Sequence, residues 1–327
     1  MLLKTLKSNQ TFHFLLIPLV AGALWIKSFL NPMLFPFYTG EDSMLLYQPI
    51  NALIGKSTVA SNIFALVFII LLAFLILKLN VQYTFIRVRT VLPSILFILI
   101  TSGLHELHAM HPIYPAALFL ILTIDRIFNA YDKEVIHSNA FEAGIFLAIG
   151  SLFYLNLVFF FPFLWIGFLI IKPKVNWREY ILSTLGFILP WLAALAYYAG
   201  TGQSDDLIGV LKENISSHQS FLVGNLPIQI YLGFLGFLTL LASFLILSQY
   251  DGKKISSRKY FKAFFWIFLM SCILIIANPA VSQDIIVLLA IPLTYLISNY
   301  LIYMKRPIWG EIYLSILTAG VIYLQFI

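Results

Sequence analysis

The chain has 327 residues, 61% of them A, V, I, L, M, F, W, Y or C and only 10% charged, with 20 Lys and Arg against 14 Asp and Glu. A mean hydropathy of +0.94 is more apolar surface than a soluble domain can hide. The net charge of +6 does not indicate a nucleic-acid partner, because the cations are scattered in small groups between apolar runs instead of collecting on one face.

In chain order, apolar runs fall near 12–30, 60–78, 91–104, 113–128, 141–154, 156–171, 180–200, 227–247, 263–278, 285–303 and 309–326. Runs of this kind between short charged stretches predict repeated bilayer crossings. The expected fold is all-α: a polytopic transmembrane helical bundle of about eleven transmembrane helices, forming a single integral membrane domain over residues 1–327. Parity can be tested with the rule that Lys and Arg accumulate in cytoplasmic loops. With the N-terminus cytoplasmic, the inside set holds Lys4, Lys7, Lys78, Arg87, Arg89, Arg126, Lys133, Lys172, Lys174, Arg178, Lys253, Lys254, Arg258, Lys259, Lys262, Lys305 and Arg306, and only Lys27, Lys56 and Lys212 fall outside. The basic balance is thus an orientation signal, with some attraction to anionic membrane lipids.

The first run follows Lys4 and Lys7 and passes Ala21-Gly22-Ala23, as a secretory signal would, but it continues to Leu30, so a retained first helix is expected. The stretch 141–171 contains no Lys or Arg. As one helix it would be about 46 Å long and would place the Lys253 to Lys262 cluster outside, so two short helices broken near Asn156 are expected. Gly144, Ala148 and Gly150 allow close helix approach there, and Pro162 and Pro190 are expected to mark kinks. Two longer outside connections, 31–60 and 200–226, carry apolar residues at helical spacing and predict short amphipathic helices on the outer leaflet. Cys272 is the single cysteine, which excludes an intrachain disulfide or a Cys-based metal site.

Chemistry is expected at the outer face, where carboxylates and imidazoles have few cations to pair with. His105-Glu106-Leu107-His108-Ala109-Met110-His111 spaces three histidines by three, which on a helix brings them toward one face and makes His105, His108 and His111 candidate metal ligands. Three imidazoles suit zinc; magnesium or manganese would prefer the carboxylates. The alternative is that these histidines are interfacial polar residues at a helix end. Thr39-Gly40-Glu41-Asp42-Ser43, directly after the first run, offers adjacent carboxylates as general base or divalent-metal ligand, while Asp42 or Ser43 could equally cap a helix. Asp205, Asp206, His218 and Asp284 read as solvated charges. Asn214-Ile215-Ser216 fits the glycosylation pattern. No phosphate-binding loop, dinucleotide fingerprint or nucleophile elbow occurs.

The segment Phe141-Glu142-Ala143-Gly144 through Ala148-Ile149-Gly150-Ser151-Leu152-Phe153-Tyr154, then Asn176-Trp177-Arg178-Glu179-Tyr180 and Gly186-Phe187-Ile188-Leu189-Pro190, resembles an uncharacterised family of bacterial inner-membrane proteins typical of Bacteroidota. That resemblance implies a cell inner membrane location and a multi-pass topology, with no activity attached. The layout is also similar to the C-type membrane glycosyltransferases, which use polyprenyl-phosphate sugars at the outer leaflet. The resemblance implies that Glu41 or Asp42 serves as base or metal ligand, that Glu106, Asn156 and Lys56 contribute to substrate binding, and that a divalent metal is a possible cofactor. The chain departs from that plan in having no soluble outer domain and few outer cations for a lipid phosphate. Two other readings stand beside it: a non-enzymatic membrane subunit with a membrane protein partner, and a transporter, which would need polar groups at mid-depth where the runs offer only residues such as Thr239, Ser243 and Ser271.

Overall fold

The computed structural model describes the chain except residues 1, 2, 4, 5, 7–10, 34–36, 38, 39, 56, 173, 217–225, 249–251, 278–281, 305, 326 and 327. The described residues form helices α1 (Leu16–Leu30), α2 (Gln48–Ile54), α3 (Thr58–Tyr83), α4 (Leu92–Thr101), α5 (Ile113–Phe128), α6 (His137–Phe153), α7 (Phe161–Ile171), α8 (Trp177–Gly200), α9 (Ser204–Ser216), α10 (Leu226–Ser248), α11 (Ile255–Ala277), α12 (Ile285–Tyr303) and α13 (Pro307–Leu324), with no strand among them. Seven helical segments, His13–Leu30 and those of α3, α8, α10, α11, α12 and α13, are long and apolar enough to cross a membrane.

Two elements make the core. Helix α12 is apolar on all sides, and residues Ile285 to Ser298 are buried throughout. Helix α4 has ten residues, every one buried, and at about 15 Å it is an interior helix wrapped by protein. The outer helices show the opposite pattern. Along α8, Ile181, Leu185, Ile188, Leu189, Leu192 and Leu195 are exposed, an apolar face that lipid, not water, would cover.

Hydrogen bonds sort the helix termini into two ends. At one, the Trp25 indole donates to Ser102 Oγ (3.1 Å), the Asn62 amide to the Ser28 carbonyl (2.9 Å), the Tyr231 hydroxyl to the Ile100 carbonyl (3.2 Å) and the Gln325 amide to the Ser102 carbonyl (3.0 Å). At the other, the Leu3 N–H donates to Glu311 (3.0 Å), Thr90 Oγ1 to the Leu6 carbonyl (2.7 Å), the Arg87 N–H to the Tyr303 hydroxyl (3.2 Å) and Lys259 Nζ to the Ile171 carbonyl (2.6 Å). Lys27 donates to the Gln325 carbonyl at the first, histidine-bearing end, whereas Arg87, Lys172, Lys253 and Lys259 are tied into the second, basic end.

The stretch 141–171 is interrupted at the expected place: α6 ends at Phe153, a 3-10 segment covers Leu155–Phe160, and α7 follows. Pro162 is not at a kink. It occupies the first turn of α7, where a missing N–H leaves no intrahelical bond unmade, and Pro190 lies inside the continuous α8. Helix α8 starts with a capping box in which Asn176 and Glu179 satisfy each other's backbone N–H groups, and Lys172 Nζ donates to Glu179 Oε1 at 2.6 Å. Both predicted loop helices are present as α2 and α9. Thr239 and Ser271 donate to the carbonyls of Leu235 and Ile267 one turn earlier in their own helices, so their polarity is absorbed locally.

Candidate functional site

Glu41, His111 and Asp284 meet at the histidine-bearing end. Each comes from a different connection: Glu41 follows α1, His111 precedes α5, and Asp284 immediately precedes α12. His111 Nε2 lies 3.2 Å from Glu41 Oε2, and its Nδ1 contacts Asp284 Oδ2. Side-chain exposure is 1% for His111, 4% for Glu41 and 0% for Asp284. One donor atom from each lies within 4.8 Å of the others, and among the described residues this is the group of three or more metal-capable side chains so gathered.

Local structure explains the placement of Glu41. Gly40 has φ +89°, and a Cβ there would meet the side chain of Asn214, whose amide donates to the Gly40 carbonyl at 2.8 Å. The backbone is thereby turned so that Glu41 enters the protein while Asp42 stays half-buried. Ser43 Oγ donates to the same Gly40 carbonyl (3.0 Å). Residues 40–43 are therefore a turn, and α2 begins only at Gln48 with no side-chain cap; the capping role expected for Asp42 or Ser43 is not what they do. Asn214 also donates to the Val210 carbonyl (2.9 Å) and is 6% exposed, so it is a packing residue of α9 and no glycosylation acceptor.

Aromatic rings roof the triad. Phe37 stacks on His111 with centroids 5.2 Å apart, the Tyr47 hydroxyl donates to the Met110 carbonyl at 2.8 Å, and the Tyr114 hydroxyl donates to the Leu107 carbonyl. A small cleft of about 20 Å³ runs past Phe37, Tyr47, Ser61 and Met110, room for about one water. Tyr154 is buried within electrostatic reach of Glu41 and Asp284, beside Asn156 and Ser282. Asn156, expected from the sequence to bind substrate, is buried (5% exposed) and reaches this region through Tyr154.

Burial pushes the Asp284 carboxyl up, against the opposing pull of His111. His111 is raised: burial lowers it, but the charges of Asp284 and Glu41 outweigh that. An imidazole facing two carboxylates through both nitrogens is either an imidazolium donating to both or gives one nitrogen to a cation.

His105 and His108 do not join this group. His108 Nε2 faces the Ser102 carbonyl at 3.2 Å, so it carries the proton, and Nδ1 accepts from Ser28 Oγ. With both nitrogens used, its ring stacked 4.2 Å from Trp25 and its pKa lowered to about 3 by burial and then by His105, His108 is a neutral structural residue tying α1 to the end of α4. His105 Nδ1 shares Ser28 Oγ at 3.1 Å. The segment 105–108 is 3-10, a winding that keeps His105 and His108 on one side, but Ala109 is extended, with φ −107° and ψ 157°, so His111 leaves the face that continuous α-helical spacing would give all three histidines. Glu106 is exposed, and its charge reaches Asp284. Lys56 and His218 lie outside the described residues.

Asp284 is the residue that sequence reasoning placed wrongly, as a solvated charge. Its signal was present: a carboxylate abutting Ile285-Ile286-Val287, with no Lys or Arg from Ala263 to Met304, must be buried or paired by something remote. No curated protein and no solved structure matches the chain. Residues 33–327, from just beyond α1 to the last residue, match the family of unknown function DUF6427, and the chain belongs to that family.

Proposed function

We propose that the protein is a glycosyltransferase-like enzyme of the cell inner membrane that acts at the outer leaflet on a sugar carried by polyprenyl phosphate, with the triad as its centre. The observation that supports this reading is the burial of Glu41, His111 and Asp284 together. Taking such groups from water costs several kcal/mol each, a cost a fold carries at a working site more readily than at a packing site. Glu41 is also the acid of the first outside connection, where the glycosyltransferase plan has its base or metal ligand. One imidazole nitrogen and two carboxylate oxygens suit a divalent ion such as zinc or manganese. Glu41, His111 and Asp284 would hold it, and it would supply charge stabilisation for a departing phosphate. Asp42, half-buried beside them, is the carboxylate placed to accept a proton from an acceptor hydroxyl, and Asn156 and Glu106 flank the site.

In this reading the N-terminus and basic end are cytoplasmic, the histidine-bearing end faces outward, and the chain crosses eleven times, with the shorter α4 to α7 covered by protein instead of lipid. The test is elemental analysis, native mass spectrometry and turnover of protein purified into lipid nanodiscs, with polyprenyl phosphates carrying a hexose, a pentose or an aminosugar as donors. About one divalent ion per chain and release of polyprenyl phosphate are expected, with Glu41→Gln losing the ion and at least about 100-fold of the rate. Absence of both in the wild-type protein, with a membrane protein partner co-purifying, would replace the enzyme with a structural subunit.

A further inference from the structure

A cavity with two cations in its wall lies at the opposite end of α12. The triad's Asp284 directly precedes this helix and Tyr303 is its last residue, so the two places are separated by 19 residues of helix, about 28 Å. The cavity has a volume of about 310 Å³ and is lined by Phe85, Arg87, Gly252, Lys253, Ser257 and Tyr303. Among these lining residues are two cations, two hydroxyls and no carboxylate.

The cations are held in place by the fold. Lys253 Nζ donates to Asn299 Oδ1 at 2.8 Å and lies 5.1 Å from the ring centroids of both Phe261 and Tyr303, which keeps the ammonium at the cavity wall instead of extended into solvent. Arg87 Nη2 donates to the Gly252 carbonyl at 3.3 Å, and its backbone N–H to the Tyr303 hydroxyl at 3.2 Å, so the loop bearing Arg87 is tied to both other walls. Burial, and then the charge of Arg87, lower the Lys253 pKa to about 8. Like charges held side by side repel, and an anion seated between them reverses the sign of the interaction.

We infer that this cavity binds a phosphate group, with the Arg87 guanidinium and Lys253 ammonium on its oxygens and the Ser257 and Tyr303 hydroxyls available as further donors. A guanidinium beside an ammonium is a common recognition pair for a phosphate monoester or diester. The phosphate belongs either to the head group of a membrane lipid, reached from the basic end of the bundle, or to a free phosphorylated molecule. The assignment does not depend on the function proposed for the triad.

The full chain in nanodiscs decides it. Thermal unfolding is followed against inorganic phosphate in phosphatidylcholine discs, and against discs in which a tenth of the lipid is phosphatidic acid. Stabilisation by inorganic phosphate assigns the cavity to free phosphates; stabilisation by phosphatidic acid alone assigns it to a lipid head group. In either case the effect should fall at least tenfold in apparent affinity in Arg87→Gln, an exposed position whose loss leaves the fold intact, and further in the Arg87→Gln, Lys253→Gln double variant. Arg87→Lys should keep part of it, and Lys174→Gln, an exposed cation elsewhere at the same end, all of it. Indifference of the wild type to both probes, or an equal response in Arg87→Gln, overturns the inference.

Discussion

His111 differs from His105 and His108 in what its ring nitrogens touch. Carbonyl and hydroxyl partners satisfy the neutral ring of His108, whereas two carboxylates face His111. Removing the imidazole leaves two buried acids with no charge between them, so His111→Ala should lower stability by about 3–5 kcal/mol, read from the unfolding midpoint in detergent. His105→Ala, at a half-buried position with a hydrogen bond to Ser28 and a ring contact with His108, should cost about 1 kcal/mol. Equal effects would mean that the triad is solvated and that its burial carries no cost. The histidine triplet was visible in the sequence. Which histidine is available was not, because that depends on Ser28 and Ser102, residues from other elements whose hydroxyl and carbonyl occupy His108.

At the level of elements, α6 and α8 approach each other through glycines on both sides. A Cβ on Gly144 would strike the Ser183 carbonyl, and one on Gly186 would strike the Phe141 carbonyl. Backbone-to-backbone approach of this kind is how helices gain packing in a medium where burial from water contributes little. Gly144→Val or Gly186→Val should separate the pair, with a destabilisation of about 1–3 kcal/mol or more and faster proteolysis within 172–176, while Gly233→Val, where nothing approaches, should leave both unchanged. The small residues of α6 and the break near Asn156 were legible from spacing and from the absence of charge over 141–171. Their partner was not. Gly186 is one of 17 glycines in the chain, and only the packed helices show that it faces Phe141.

For the molecule as a whole, the two polar ends follow from alternation. Successive helices run back and forth, so every second connection is brought to the same end. If the basic end is cytoplasmic, then in a Cys272→Ser background a cysteine at Asp205 should react with a membrane-impermeant maleimide in right-side-out spheroplasts, while cysteines at Lys174 and Lys254 should react only after lysis. All three positions are exposed, and the reverse pattern would invert the topology. Hydropathy was enough to place a helix in each apolar run, because it is a local property that the 1.5 Å rise of a helix converts directly into structure. The triad and the Arg87–Lys253 cavity needed the tertiary structure. Glu41, His111 and Asp284 are separated by 70 and 173 residues of chain, and no periodicity links positions that far apart. They meet because α12 is drawn into the centre of the bundle by an apolar surface on every side, carrying Asp284 inward to His111, whose ring lies between it and Glu41.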